Sequence, residues 1–146
     1  RDLNRKPWSE GHATLIDYLG TSLRVQLDTD RRQAMRDGAL LHLPLPPDAT
    51  PRQIQDAAEA WLRREAAVLF ARLVANEAAR IDREVPRLSL SFSVRGSWVE
   101  AEHSMLRINW RLIAQPLSVV ELTLRRAIAS LPAAVPTTDL FAAFAS

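Results

Sequence analysis

The chain has three histidines, His12, His42 and His103. Imidazole is the side chain best suited to metal binding and to proton transfer near neutral pH. His103 ends the run Val-Glu-Ala-Glu-His, so Glu100, Glu102 and His103 are the densest set of metal-type donors. A hydrolase with relocated metal ligands would need these three to converge. In a regular strand successive side chains face opposite sides, which puts His103 on a face with neither glutamate. The expectation is therefore a solvated hairpin tip. His42 lies within Leu-Leu-His-Leu-Pro-Leu and is expected to be a partly exposed strand histidine. His12 falls in a polar lead-in. No Ser/His/Asp set can be drawn, and the four glycines are too scattered for a phosphate loop. The absence of cysteine removes thiolate metal sites, disulfides and cysteine nucleophiles together. No metal or cofactor is expected.

Two features could serve binding instead. Arg107 and Arg111 fall an even number apart in an expected strand, and Arg125 and Arg126 follow in an expected helix. Together they could form an anion or nucleic-acid surface. They could equally be a solvated face paired with Glu100 and Glu121. No aromatic row interleaves them, and a net charge of +2 is close to balance. The four tryptophans, Trp8, Trp61, Trp98 and Trp110, are expected in the core or at its rim, and Trp98, if exposed, is the candidate interface anchor.

The elements that must position these residues can be read along the chain. Residues 1–13 form the polar lead-in, and residues 14–146 read as a single domain. At 146 residues and 47% apolar content the chain can bury one core. No apolar run is long enough to span a membrane, and no secretory signal core is visible at the start. With the lack of cysteine, this suggests a cytoplasmic protein. Lys6 is the only lysine, and that bias towards arginine fits a bacterial source with a GC-rich genome.

Thr-Leu-Ile-Asp-Tyr and Ser-Leu-Arg-Val-Gln-Leu read as strands separated at Gly20. Arg-Arg-Gln-Ala-Met and Ala-Leu-Leu-His-Leu-Pro-Leu flank a hairpin signal at Asp37-Gly38. Four prolines in residues 44–51 end the strands. Thr50, Pro51 and Gln53 predict a capped helix start, followed by one helix of about thirty residues. Its apolar face is expected at Ile54, Ala58, Trp61, Leu62, Leu69 and Leu73. Leu88, Leu90, Phe92 and Val94 alternate with polar residues and predict a strand with one buried side. A second strand over residues 104–114 follows, joined to the first through residues 96–103. A final helix begins near Ser118, its expected cap, with Val120, Leu124, Ala127 and Leu131 inward. Residues 138–145 could start another helix. The order makes an α+β domain.

This order resembles the YgjP-like, or WLM-type, zinc metallopeptidases, relatives of the SprT-like proteins. The likeness runs from about Tyr18 to the end. It rests on Tyr-Leu-Gly-Thr-Ser-Leu-Arg-Val-Gln-Leu, on the proline-bounded lead-in to the Trp61-Leu62 helix, and above all on Leu-Arg-Ile-Asn-Trp-Arg-Leu-Ile-Ala-Gln-Pro-Leu-Ser-Val-Val-Glu. Asn109, Leu112, Ile113, Pro116, Val119, Val120 and Glu121 stand where the family pattern places them. The resemblance implies a zincin-like scaffold: N-terminal β-hairpins, one long helix, a β-hairpin and a C-terminal helix that carries the active site in relatives.

In that family the helix carries His-Glu-x-x-His, with two histidines on zinc and the glutamate as general base. Counted from Glu121, those places fall on Arg126, Ala127 and Ser130, and a third ligand place falls near Thr137. None of the four can do the family's work. Arginine offers a cation no lone pair, alanine has no base, and hydroxyls are poor zinc ligands beside imidazole. The family's Arg-Trp-Gly-Ser-Cys stretch is also rebuilt here, with Arg95, Gly96 and Ser97 matching and Trp98 at the cysteine's place. The resemblance therefore implies a pseudoenzyme whose partner is another protein, with a nucleic-acid module as the alternative.

Overall fold

The computed structural model describes residues 14–132. Four short strands come first: β1 (Leu15–Tyr18), β2 (Thr21–Leu27), β3 (Met35–Asp37) and β4 (Leu40–Leu43). They form one sheet in the order β1-β2-β4-β3. Its two outer pairs are antiparallel hairpins, and its central pair, β2 with β4, is parallel. Parallel neighbours need a crossover connection, and here the segment containing β3 supplies it.

Helix α1 (Pro51–Arg80) starts where expected, with the Thr50 side chain accepting from the Gln53 amide and Gln53 returning the bond to Thr50. No Gly or Pro interrupts it, and it runs for 30 residues. Ala58, Trp61, Leu62, Ala66, Leu69, Phe70, Val74 and Ala78 are buried at helical spacing. Ile54 and Leu73, expected on that face, are partly buried at its margin. The helix ends where Asp82 takes a positive φ of 55° and the Arg83 amide turns back to the Ala78 carbonyl.

The second sheet holds β5 (Arg87–Ser91), β6 (Val99–Glu102) and β7 (Met105–Asn109) in the order β5-β7-β6. A short 3-10 helix, Trp110–Ala114, and then α2 (Leu117–Ser130) complete the described chain. Residues of both sheets, both long helices and the 3-10 helix share one apolar core. Among the described residues, no helix is long and apolar enough to cross a membrane.

Several expectations are corrected. In the β3–β4 hairpin the turn residues are Gly38 and Ala39, since Asp37 already pairs with Leu40, and the strand before it begins only at Met35. His42 is buried, at 7% exposure, because the strand beneath it is interior to its sheet and its neighbours Leu41 and Leu43 are buried too. Its Nδ1 has no hydrogen-bond partner and lies 3.9 Å from Asp28. Strand β5 stops at Ser91, so Phe92 and Val94 are exposed and not buried. The expected two-stranded hairpin is instead three strands: the segment read as a connection supplies β6, antiparallel to β7, while β5 runs parallel to β7.

The strand expected over residues 104–114 ends at Asn109, where the chain turns into the 3-10 helix. That also cancels the shared face expected for Arg107 and Arg111. Helix α2 is capped by Pro116 and not by Ser118, with no side-chain bond at its start. Its buried residues are Val120, Leu124 and Ile128, with Ala127 partly buried beside them. The expected last helix and Thr137 lie outside the described residues.

Candidate functional site

Three separate contacts position α2. At its start, the turn between β1 and β2 docks on the preceding 3-10 helix: the Leu19 amide donates to Ile113 O at 2.7 Å and the Gly20 amide to Ala114 O at 3.0 Å. Gly20 has φ +79°, and a Cβ there would sit 2.9 Å from the Cα of Pro116. Only glycine allows that turn to approach the helix so closely. Midway along α2, Arg125 reaches across to α1 and bonds Glu77, Nε to Oε1 at 3.2 Å. Glu77 also accepts from Arg80. These bonds, from Arg80 first and then Arg125, hold the Glu77 carboxyl below the ordinary carboxylate range. At the far end, Arg83 donates to the carbonyls of Ile128 at 2.9 Å and Leu131 at 2.8 Å. The Ile128 carbonyl also accepts from the Leu131 amide, and a cation at this end suits the helix dipole.

Arg126, Ala127 and Ser130, the places reached by counting from Glu121, lie on the middle and end of this helix. Arg126 and Ser130 are exposed and one turn apart, on the same side of the helix as the exposed Val119. Ala127 is partly buried against the core. The Ser130 hydroxyl donates to the Ala127 carbonyl at 2.7 Å, so its hydrogen is already used. A zinc ion does not fit this donor set. One position carries a positive charge, one carries a methyl group, and one carries a hydroxyl bonded to its own helix.

The relocated set fails as well. Glu100 and Glu102 lie on β6, whereas His103 sits in the two-residue turn before β7 with φ +53°. Among the described residues no group of three or more His, Cys, Asp or Glu could hold a metal ion. The hairpin tip expected for His103 is what the fold contains.

The four arginines have different surroundings. Arg107 faces outward on β7 directly opposite Glu100 of β6. The Arg111 guanidinium lies over the ring of Trp110 at 5.6 Å. Arg125 is committed to Glu77, and Arg126 is turned from it by about 100° around the helix. Trp98 is exposed at 40%, immediately before β6.

Sequence reasoning undervalued Asn109, which is 6% exposed and bonds through its backbone amide and both ends of its side-chain amide. Its amide donates to Trp98 O at 2.8 Å and its side-chain Nδ2 to Ser93 O at 2.7 Å. Its Oδ1 accepts from the Arg111 amide at 3.0 Å and caps the 3-10 helix. An asparagine ahead of a helical turn is a readable capping signal; its long-range bonds are not. Arg63 was also missed. Its guanidinium lies 4.9 Å from the Phe92 ring and 5.1 Å from that of Trp110, joining α1 to the loop after β5.

The fold is thus an α+β domain of zincin-like build, with a long helix, two small sheets and a second helix docked at both ends. The sequence profile of the YgjP-like metallopeptidase domain matches residues 2–123, and the chain belongs to that family. The match begins ahead of Tyr18 and ends at Thr123, before Arg126. No curated protein and no solved structure matches the chain.

Proposed function

We propose that this domain keeps the metallopeptidase scaffold without its reaction and acts by binding another protein. The observation that carries this reading is the donor set on α2. Arg126, Ala127 and Ser130 stand where the family's helix needs two imidazoles and a carboxylate, and the helix that bears them is held in place by Gly20, Arg83 and Arg125. A helix docked at both ends that carries no metal donor at those places suits a domain used for its shape. A peptidase needs a polarising cation or a nucleophile, together with a base, at one spot. Arg126 would instead repel a cation, and Ala127 supplies no base.

Metal analysis of the purified full chain after dialysis against zinc-containing buffer tests the first half. The expected result is zinc far below one equivalent per chain. One equivalent that survives dialysis against a weak chelator would overturn the reading.

A further inference from the structure

The exposed apolar side chains are unevenly placed. Phe92, Val94 and Trp98 all fall within the seven residues that connect β5 to β6, and Val94 is the most exposed large apolar side chain among the described residues, at 75%. Single exposed apolar residues are ordinary, but a concentration on one connection calls for a partner. The loop of residues 92–98 is also internally braced. Ser93 Oγ donates to Arg95 O at 2.7 Å and accepts from the Arg95 amide at 3.2 Å. Both feet of the loop are tied to one residue, since Ser93 O and Trp98 O each accept from Asn109. Phe92 is held by Arg63. A loop ordered before binding loses little conformational entropy when it binds.

Charge narrows the partner. Between Glu84 and Glu100 the charged residues are Arg87 and Arg95 alone, and neither makes an ion pair among the described residues. The shape narrows it further. The rings of Phe92 and Trp98 stand at the two feet of the loop, whereas Val94, Arg95, Gly96 and Ser97 form its tip. A bilayer would take aromatic side chains at a tip that enters it. Rings at the feet suit walls that close around the loop on both sides.

Resting on the protein-binding reading above, we propose that residues 92–98 are a preformed docking loop that inserts into an apolar groove with an acidic rim on a partner protein. Val94 enters the groove, Trp98 and Phe92 pack against its walls, and Arg95 meets the rim.

A displayed library of random peptides, selected against the immobilised full chain, tests this. The recovered peptides are expected to share an apolar or aromatic centre flanked by Asp or Glu. Their affinity is expected to fall about tenfold or more in Val94→Ser and in Trp98→Ser, and more steeply for acidic peptides in Arg95→Glu. Val94→Ser changes a side chain that packs on nothing in the core, so it keeps the test open if Trp98→Ser disturbs the fold. Peptides that bind the wild type, Val94→Ser and Arg95→Glu equally well would overturn the loop assignment and leave the protein-binding reading standing. Recovery of no peptide would count against both. Co-sedimentation with vesicles of phosphatidylserine and phosphatidylcholine, lost in Val94→Ser, would overturn the proposal in favour of a bilayer.

Discussion

Asn109 donates its side-chain amide to the carbonyl of Ser93 across sixteen residues of chain, at 2.7 Å. This one bond closes the loop after β5 onto the end of β7. The same side chain caps the 3-10 helix that leads to α2. Strand, loop and helix are therefore joined through one buried amide.

Removing that amide should loosen all three. Asn109→Ala leaves Ser93 O without its donor and the Arg111 amide without its cap, a loss of about 2 kcal/mol in denaturant unfolding. Asn109→Asp keeps the cap but sets a carboxylate against the Ser93 carbonyl, so it should restore only part of the stability. Tryptic cleavage after Arg95 in the native state should accelerate in both variants. Unchanged cleavage in Asn109→Ala would show that the loop is braced by other contacts.

Two glycines with similar backbones allow the approach at Pro116 to be measured. Gly20 and Gly38 both have positive φ, +79° and +61°, but a Cβ at Gly38 would meet nothing within 4 Å. Gly38→Ala should cost only the conformational penalty, about 1 kcal/mol. Gly20→Ala carries that penalty and also a backbone contact that cannot yield, for a total of about 2–4 kcal/mol. The difference between the two unfolding free energies reports how firmly the β1–β2 turn holds the start of α2. Equal losses would mean that the turn moves away freely.

The Glu77 cluster makes a prediction with a sign. Arg80 and Arg125 hold the folded-state carboxyl below its ordinary value. A group depressed in this way adds stability above its unfolded pKa and loses it as pH falls through the folded one. Glu77→Gln should therefore be less stable than wild type at neutral pH. The gap should close as pH drops below the ordinary carboxylate range, and it should narrow at neutral pH when salt is raised. Thermal unfolding of the two proteins across that range checks this, and a gap that widens in acid would contradict the assignment.

The same residues show what could be read in advance. The capping box at Thr50 and Gln53 is a local pattern, and it produced α1 with the right start and length. The hairpin tip at His103 followed from alternation alone. The β2–β4 pairing did not, because two hairpins can meet through any of their edges and only the shared core selects one. The run Trp-Arg-Leu-Ile-Ala is apolar enough to continue a strand. It turns because the Asn109 side chain captures the Arg111 amide, a local bond that competes with the ladder. His42 is expected to be partly exposed from its sequence alone, and it is buried because β2 and β3 flank its strand on both sides. At the candidate site, counting from Glu121 reaches Arg126, Ala127 and Ser130, but it does not tell that Arg126 and Ser130 are exposed while Ala127 is partly buried. The order of the loop at residues 92–98 was not legible either, since it depends on Asn109, more than ten residues further along the chain.

Arg83 offers the sharpest test of how α2 is held. It lies just beyond α1, 45 residues before Ile128, yet its guanidinium donates to two carbonyls at the end of α2. Arg83→Met keeps much of the aliphatic stem and deletes both bonds. Bonds from a charged donor at a partly buried site put the loss at about 2 kcal/mol. Arg83→Lys retains the charge near the helix end but cannot reproduce the planar fork, so it should recover less than half of that loss. Hydrogen exchange separates this from a general weakening of the fold. In Arg83→Met the amides in the last turn of α2 should exchange faster by more than the global destabilisation explains, while those in the middle of α1 track the global change. Uniform acceleration across both helices would mean that Arg83 supports the core as a whole and does not hold the end of α2 in particular.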